Sequence, residues 1–538
     1  MPQERSEILT GLKTTTYDVI VIGGGITGAG IAHEAALQGL SVLLLEKKDF
    51  SWGTSSRSSK LVHGGLRYLE QMYFHLVFEA LHERTTLFDI APVDPLPFLF
   101  PTYKKDRVPF WFLEMGMFLY DALALFRAPK LHRFRWKKGT LGIAPRLNPN
   151  ELVSSSEYFD GRTDDSRLVL ETLRAARNRG AHALNYAKVS GFGKTGDEIR
   201  VVEIKDTLTG KEYEAHGRVI INAAGPWLEE VIHSFDKAHP RVIRASKGVH
   251  LFVAAKPGDS KDAVVISDSR SKRILFYVPW KPGVNLLGTT DTDYKGDYNA
   301  VYADSSDVDY VLDNYEHYFP GSIDRSEILS TNAGLRPLIF SEGKDERTTS
   351  REHRIIVHDP FNLVSIGGGK LTTYRVMAKQ ALDAALTVLK KRGTCPALMP
   401  GDRKEKLVTR EEIHGTMALS KPATEFIVGH MGYTDIALRV NDIALRDRAL
   451  AKHVGTDVRI PRALIRYFVE EEQAMRLDDI MDRRLRLSLT EADGGMRTAR
   501  AIAAEMAKLL GWNALRTAKE IREYQTEADM NRRSIRSK

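Results

Sequence analysis

Six consecutive residues, Gly23-Gly24-Gly25-Ile26-Thr27-Gly28, keep the spacing G-x-G-x-x-G. An apolar run at 17–22 (YDVIVI) leads into them. A helical pattern at 27–38 follows, and a second apolar run at 41–46 (SVLLLE) ends in an acid. The chemistry this context supports is dinucleotide binding. Gly23 permits a tight turn, Gly25 lets backbone approach a pyrophosphate at a helix N-terminus, and Gly28 allows close helix–strand packing. Glu46 can accept hydrogen bonds from an adenosine ribose and would repel a 2′-phosphate.

Three later segments extend the reading towards a flavin. Residues 54–60 (TSSRSSK) are dense in hydroxyls and lead into 63–68 (HGGLRY). Ser55, Ser59, Lys60 and the amides of Gly64 and Gly65 can serve a pyrophosphate and a flavin edge. Residues 219–225 (VIINAAG) read as a strand ending in small residues, so a cofactor can pass close to backbone at Ala224 and Gly225. Residues 366–373 (IGGGKLTT) make a strand–glycine–helix junction. A helix N-terminus there, at Gly368, Lys370, Leu371 and Thr372, would face the flavin pyrimidine and stabilise negative charge on the reduced ring. Each segment alone reads equally as a capped turn or a serine-rich linker. Their company on one chain favours FAD.

Cations accompany these motifs. Arg336 sits in GLRP (334–337), flanked by turn residues, and Arg351 and Arg354 fall in a charged loop. Guanidinium forks bind phosphate oxygens in bidentate fashion. A single arginine is more often a surface charge; several beside flavin motifs suit a phosphorylated substrate.

On these residues the chain resembles the aerobic, FAD-dependent glycerol-3-phosphate dehydrogenases, within the wider D-amino-acid-oxidase-like flavoproteins. The resemblance runs from about Tyr17 to about Leu510. It rests on DVIVIGGGITGAGIA, SSKLVHGGLRYLE, NAAGPW, KGVH, GTTDTDY, AGLRPL, SREH and GGGKLTTYR. It implies an α/β plus α fold: a Rossmann-like FAD-binding domain interleaved with a mixed-sheet substrate domain, then a helical C-terminal domain. It implies oxidation of sn-glycerol 3-phosphate to dihydroxyacetone phosphate. Arg67, Tyr68, His250, Arg336, Arg351 and Lys370 would surround the substrate, and Val189 joins the cofactor set.

Hydride transfer from C2 to FAD needs the reacting atoms held within roughly 3–3.5 Å. The C2 hydroxyl proton needs a base. His250 suits neutral pH; Lys370 would need its pKa lowered by neighbouring arginines. Arg336 could steady a developing alkoxide. The resemblance also implies reoxidation by a quinone, hence a peripheral enzyme on the cytoplasmic face of the cell membrane. Residues 127–138 (RAPKLHRFRWKK) hold six basic residues with Leu131, Phe134 and Trp136 between them, a mixture that suits an anionic membrane surface. Residues 108–126 are the most apolar stretch, but Glu114 and Asp121 argue against crossing a bilayer. Such a segment can lie in the interface.

These residues need scaffolds of a certain size. The 538 residues, 43% of them hydrophobic, favour two or three domains. An oxidoreductase region is expected over 1–400. Its FAD-binding parts lie at about 17–105, 165–225 and 336–395, and its substrate- or membrane-facing parts at about 106–164 and 226–335. A helical domain is expected over 401–538, with helices at 410–420, 462–474, 477–487 and 496–510 and a frayed end at 531–538. The net charge of +8 fits either an anionic partner or an ordinary surface. A single cysteine, Cys395, excludes a disulfide framework and fits a reducing compartment. The first 16 residues carry no secretory or transit pattern. Residues 291–296 begin like a calcium loop, but Lys295 and Tyr302 stand at its fifth and twelfth positions, so no metal is expected. Two rivals remain: an oxidase using oxygen, and a flavin-dependent RNA-modifying protein drawing on the basic cluster. An arginine-rich pocket has no purpose in the second, so no nucleic acid is expected. A homodimer is left open.

Overall fold

The apolar run before the glycine motif becomes the middle of an eight-stranded sheet. The computed structural model describes residues 3–106, 108–268, 273–321, 323–340, 352–410, 413, 415–432 and 434–536. Thr16–Ile22 runs parallel to Val42–Leu45 on one side and to Glu212–Asn222 on the other. His182–Leu184 and Leu363–Gly368 extend the parallel core, and His353–His358 closes one edge antiparallel. Continuous apolar strands belong where both faces are covered. Val19 and Val21 point to a core shared with the helices Ile26–Leu37, Asp165–Asn178 and Tyr374–Lys391. Ile20 and Ile22, on the alternate face, meet the helix Gln3–Gly11 through Ile8 and Leu9.

The second sheet has ten strands and is woven through the first in sequence. Leu61–Val62, Val93–Tyr103 and Leu152–Thr163 enter it before the chain returns to the first sheet. Ile243–Ala254, Ala263–Ser267, Ile274–Lys281, Val284–Gly288 and Ile328–Ile339 enter it afterwards. Ile274–Lys281 and Val284–Gly288 form a hairpin. Val93–Tyr103, placed with the FAD-binding parts, pairs with Leu152–Thr163 in the second sheet. Its prolines at 95, 97 and 101 hid the strand pattern.

After residue 401 the described chain is mostly helical. Lys421–Met431, Thr434–Arg446, Arg462–Glu470, Met496–Leu510 and Ala514–Met530 share a core of their own. Two expectations fail here, and the helix expected at 477–487 holds only in part. The described residues of 410–420 form no helix; the Asn441 side chain instead accepts from the Ala418 amide at 2.7 Å, and Ser420 caps the helix that follows. The segment 477–487 forms a π-helical turn, Asp479–Arg484, that breaks at Arg486, where φ is +59°. The tail is docked rather than frayed as far as residue 536: buried Arg532 donates to the Leu329 carbonyl at 2.9 Å. Among the described residues no helix is long and apolar enough to cross a membrane.

Candidate active site

A cavity of about 290 Å³ draws its walls from both sheets. Gly23, at φ +110°, turns the chain where a Cβ would come within 2.6 Å of the Ala223 carbonyl. Gly25 precedes the helix Ile26–Leu37, whose first amide donates to Ser55 Oγ at 2.9 Å. Gly28 does not line the cavity. A Cβ there would meet the Gly23 carbonyl at 1.9 Å, so this glycine serves packing. Glu46 accepts from the Gly24 amide at 2.7 Å and the Lys48 amide at 2.8 Å. Burial pushes its carboxyl up from the usual range, against the pull of those two amides. Val189, Ala224, Gly225, Gly368 and Leu371 complete these walls. Bare glycine backbone, a helix N-terminus and an acid at the end of the second strand fit FAD.

The second sheet supplies polar side chains to the cavity. Alternate residues Ser246, Gly248 and His250 share one face of Ile243–Ala254. Lys247 turns the other way, to Asp304 and Asp307 at 2.8 and 2.6 Å. Arg336 pairs in register with Ser246. Its guanidinium crosses Gly248, where a Cβ would sit 2.5 Å from Nη2. Arg336 donates to Thr289 Oγ1 at 3.0 Å and to Asp291 Oδ1 at 3.2 Å.

His250 is buried, with Nε2 2.9 Å from Ser59 Oγ and Nδ1 without a hydrogen-bond partner among the described residues. Burial, then Arg336, then Lys60 hold its pKa well below 6.5. The ring is therefore neutral at physiological pH and able to take a proton. Gly288 stands opposite it in the ladder, where a Cβ would come within 2.6 Å of the ring. An adjoining cavity of about 130 Å³ shares Ser59, His63 and Arg336 and adds Gly65, Tyr68, Arg273 and Asp291. Lys370 lines the larger cavity, its Nζ 3.7 Å from the Tyr68 ring centroid, a cation–π contact.

The family profile described as FAD dependent oxidoreductase matches residues 18–381. The chain belongs to this flavoprotein family. A second profile, the C-terminal domain of alpha-glycerophosphate oxidase, matches residues 408–517. The chain is 35% identical over 543 residues to glycerol-3-phosphate dehydrogenase 2 of Mycobacterium tuberculosis, covering 98% of this chain and 91% of that one. It is 34% identical over 482 residues to the aerobic glycerol-3-phosphate dehydrogenase of Escherichia coli, covering 87% and 93%. Its structure is similar to that of the glycerol-3-phosphate dehydrogenase from Bacillus halodurans complexed with FAD: TM-score 0.77, 28% identity, 98% of each chain.

Not every expected residue of the flavoprotein reaches the cavities. The Lys60 ammonium is buried away from both and bonds Asp165 Oδ1 at 2.8 Å and the Ser56 carbonyl at 3.1 Å. Burial lowers its pKa to about 8, so it stays charged at neutral pH. Thr372 Oγ1 accepts from the His63 amide at 3.0 Å, a brace for the wall rather than a wall. Gly64 packs beneath, where a Cβ would meet the Tyr120 hydroxyl at 2.4 Å. Arg351 lies outside the described residues. Of Arg67 only the backbone is described, in the short helix Leu66–Glu70. Sequence reasoning assigned no role to Thr289, Asp291 or Arg273. Thr289 and Asp291 stand in GTTDTDY and Asp291 opens the calcium-like loop, but no spacing rule links an arginine to a carboxylate 45 positions earlier.

Proposed function

We propose that this flavoprotein oxidises sn-glycerol 3-phosphate to dihydroxyacetone phosphate and passes the electrons to a membrane quinone. The reading is carried by Arg336 and a neutral His250 sharing one cavity beside the FAD cradle, in a chain whose relatives bear glycerol-3-phosphate dehydrogenase names. Bound FAD supplies the hydride acceptor. Arg336, held by Asp291 and Thr289, turns its fork to the substrate, and Arg67, Arg351 and Lys370 add charge for the phosphate dianion. Neutral His250 takes the C2 hydroxyl proton as the hydride leaves, and Arg336 steadies the developing alkoxide. The test is His250→Asn assayed for dihydroxyacetone phosphate formation across pH. A loss of about 10²-fold or more is expected; turnover within a few-fold of the parent rules out His250 as the base.

The quinone reading draws support from an exposed apolar face. Trp111, Phe112, Met115, Phe118 and Leu119 stand exposed on the helix Phe110–Leu123, with Met72, Tyr73, Phe74 and Phe78 exposed on the preceding helices and turn. Leu131 and Trp136 are exposed within the basic stretch 127–138. The other side of this helix carries Tyr120, which packs under Gly64 in the wall segment of the substrate cavity. Apolar residues rimmed by cations suit an anionic bilayer surface. Oxygen is the rival acceptor. Quinone-analogue reduction with little peroxide supports the proposal, and stoichiometric peroxide overturns its second half.

A further inference from the structure

The segment 472–486 lines neither cavity, yet most of its side chains are buried, Arg483, Arg484 and Arg486 among them. Arg483 Nε and Arg484 Nη1 donate to Asp49 Oδ2 at 2.6 and 2.7 Å, three residues after Glu46. The Asn185 amide donates to Asp49 Oδ1 at 3.0 Å and to the Gln473 carbonyl at 2.8 Å. Tyr186 OH donates to Asp479 Oδ1 at 2.6 Å. The chain just after Glu46 and just before Val189 is thus tied to the C-terminal domain.

Arg486 reaches furthest. Its Nη2 donates to Asp164 Oδ1 at 2.7 Å and to Asp165 Oδ1 at 2.5 Å. Asp165 opens the helix Asp165–Asn178, and its Oδ2 accepts from the Ser58 amide at 3.0 Å and from Ser58 Oγ at 2.8 Å. The next residue is Ser59, whose hydroxyl stands 2.9 Å from His250 Nε2. Buried and half-buried polar contacts, with one peptide step from Ser58 to Ser59, therefore join a C-terminal guanidinium to the imidazole in the cavity.

We propose that Arg486 is a positioning residue: through Asp165 and Ser58 it sets the serine loop that lines the FAD cavity and holds the Ser59 hydroxyl against His250. A single π-turn ending at φ +59° aims the fork inward. The charge balance separates this role from simple stability. Without Arg486, Asp164 keeps Lys281 at 3.1 Å and Asp165 keeps Lys60 at 2.8 Å. No carboxylate is left without a cation, so the fold is expected to hold while the loop loses its brace. The charged groups facing His250 are Lys60 from the serine loop and Arg336 from the neighbouring strand; the third neighbour contributes Gly288.

The FAD part of this inference is independent of the substrate; the His250 part rests on the function proposed above. The experiment uses the full chain as Arg486→Gln, Arg486→Lys and Ser58→Ala. FAD affinity is read from quenching of flavin fluorescence, and the acid limb of kcat/KM against pH is read separately. Arg486→Gln should keep the parent's circular dichroism, weaken FAD binding about tenfold or more, and displace the acid limb by about half a unit or more. Arg486→Lys should recover part of both. Ser58→Ala should weaken FAD binding about threefold and move the limb in the same direction. If Arg486→Gln fails to fold, Ser58→Ala decides. Parent-like FAD affinity and an unmoved acid limb in the folded variants would overturn the proposal. If the protein fails to oxidise glycerol 3-phosphate at all, the FAD titration still stands as the test.

Discussion

Two sets of arginines divide the molecule. Arg336 lines both cavities, is 21% exposed, and has one acidic neighbour, Asp291, among the contacts of its fork. Arg483, Arg484 and Arg486 are 4%, 0% and 1% exposed, and each converges on two or more acidic residues. The contrast teaches what burial does to the same side chain. A guanidinium fully enclosed by carboxylates is part of the architecture, and its charge is cancelled where it sits. One braced on its flank keeps positive potential for an arriving anion.

The largest effect expected from this comparison is on stability. Arg484→Ala truncates a fully buried side chain and takes a donor from the Asp479 and Glu472 carbonyls as well as from Asp49, which keeps Arg483; it should cost about 3–5 kcal/mol, read from urea unfolding. Arg336→Ala comes next and should behave oppositely. Turnover should fall about 10²–10³-fold, while the unfolding midpoint stays near the parent's. If Arg336→Ala destabilises as much as Arg484→Ala, the division between the two sets is wrong.

Acid should loosen the C-terminal set third. His430 is buried, donates to the Leu485 carbonyl, and its pKa is lowered to about 3, by burial first and Lys281 second. Between an unfolded pKa near 6.5 and this value the unfolded chain binds more protons, so stability falls as pH drops through that window. The loss at pH 5 relative to pH 8 should be about 2 kcal/mol for this residue. His430→Gln should flatten the unfolding midpoint against pH by that amount; an unchanged slope would contradict the assignment. The smallest effect concerns the surface. Trp111→Glu with Phe118→Glu should lower partitioning onto anionic vesicles about tenfold or more and leave unfolding unaltered. Parent-like partitioning would remove this helix from membrane docking.

What could be read from the sequence follows from how local the cause is. The cradle at 23–28 and the acid at 46 are set by backbone geometry and short spacing, so glycines and one carboxylate announce them. Arg336 was legible as a cation near turn residues. The reason its fork reaches the cavity was not: Gly248 lies 88 positions earlier and clears its path only once the two strands pair. Lys60 looked like a ligand because it ends a serine-rich loop, but Asp165, 105 positions on, draws its ammonium inward. The strand Val93–Tyr103 was hidden by prolines, and the turn at 479–484 by residues that favour an ordinary helix. The docked tail was missed because its basic residues looked solvated, whereas carbonyls at Leu329 and Ser488 receive Arg532.

The central claim is that a neutral histidine and an arginine fork hold a phosphorylated alcohol against bound FAD. The most direct measurement is anaerobic addition of sn-glycerol 3-phosphate to the purified yellow holoenzyme. The flavin absorption should bleach fully, and dihydroxyacetone phosphate should appear in equal amount. Unchanged absorption, in a sample that dithionite does bleach, would contradict it.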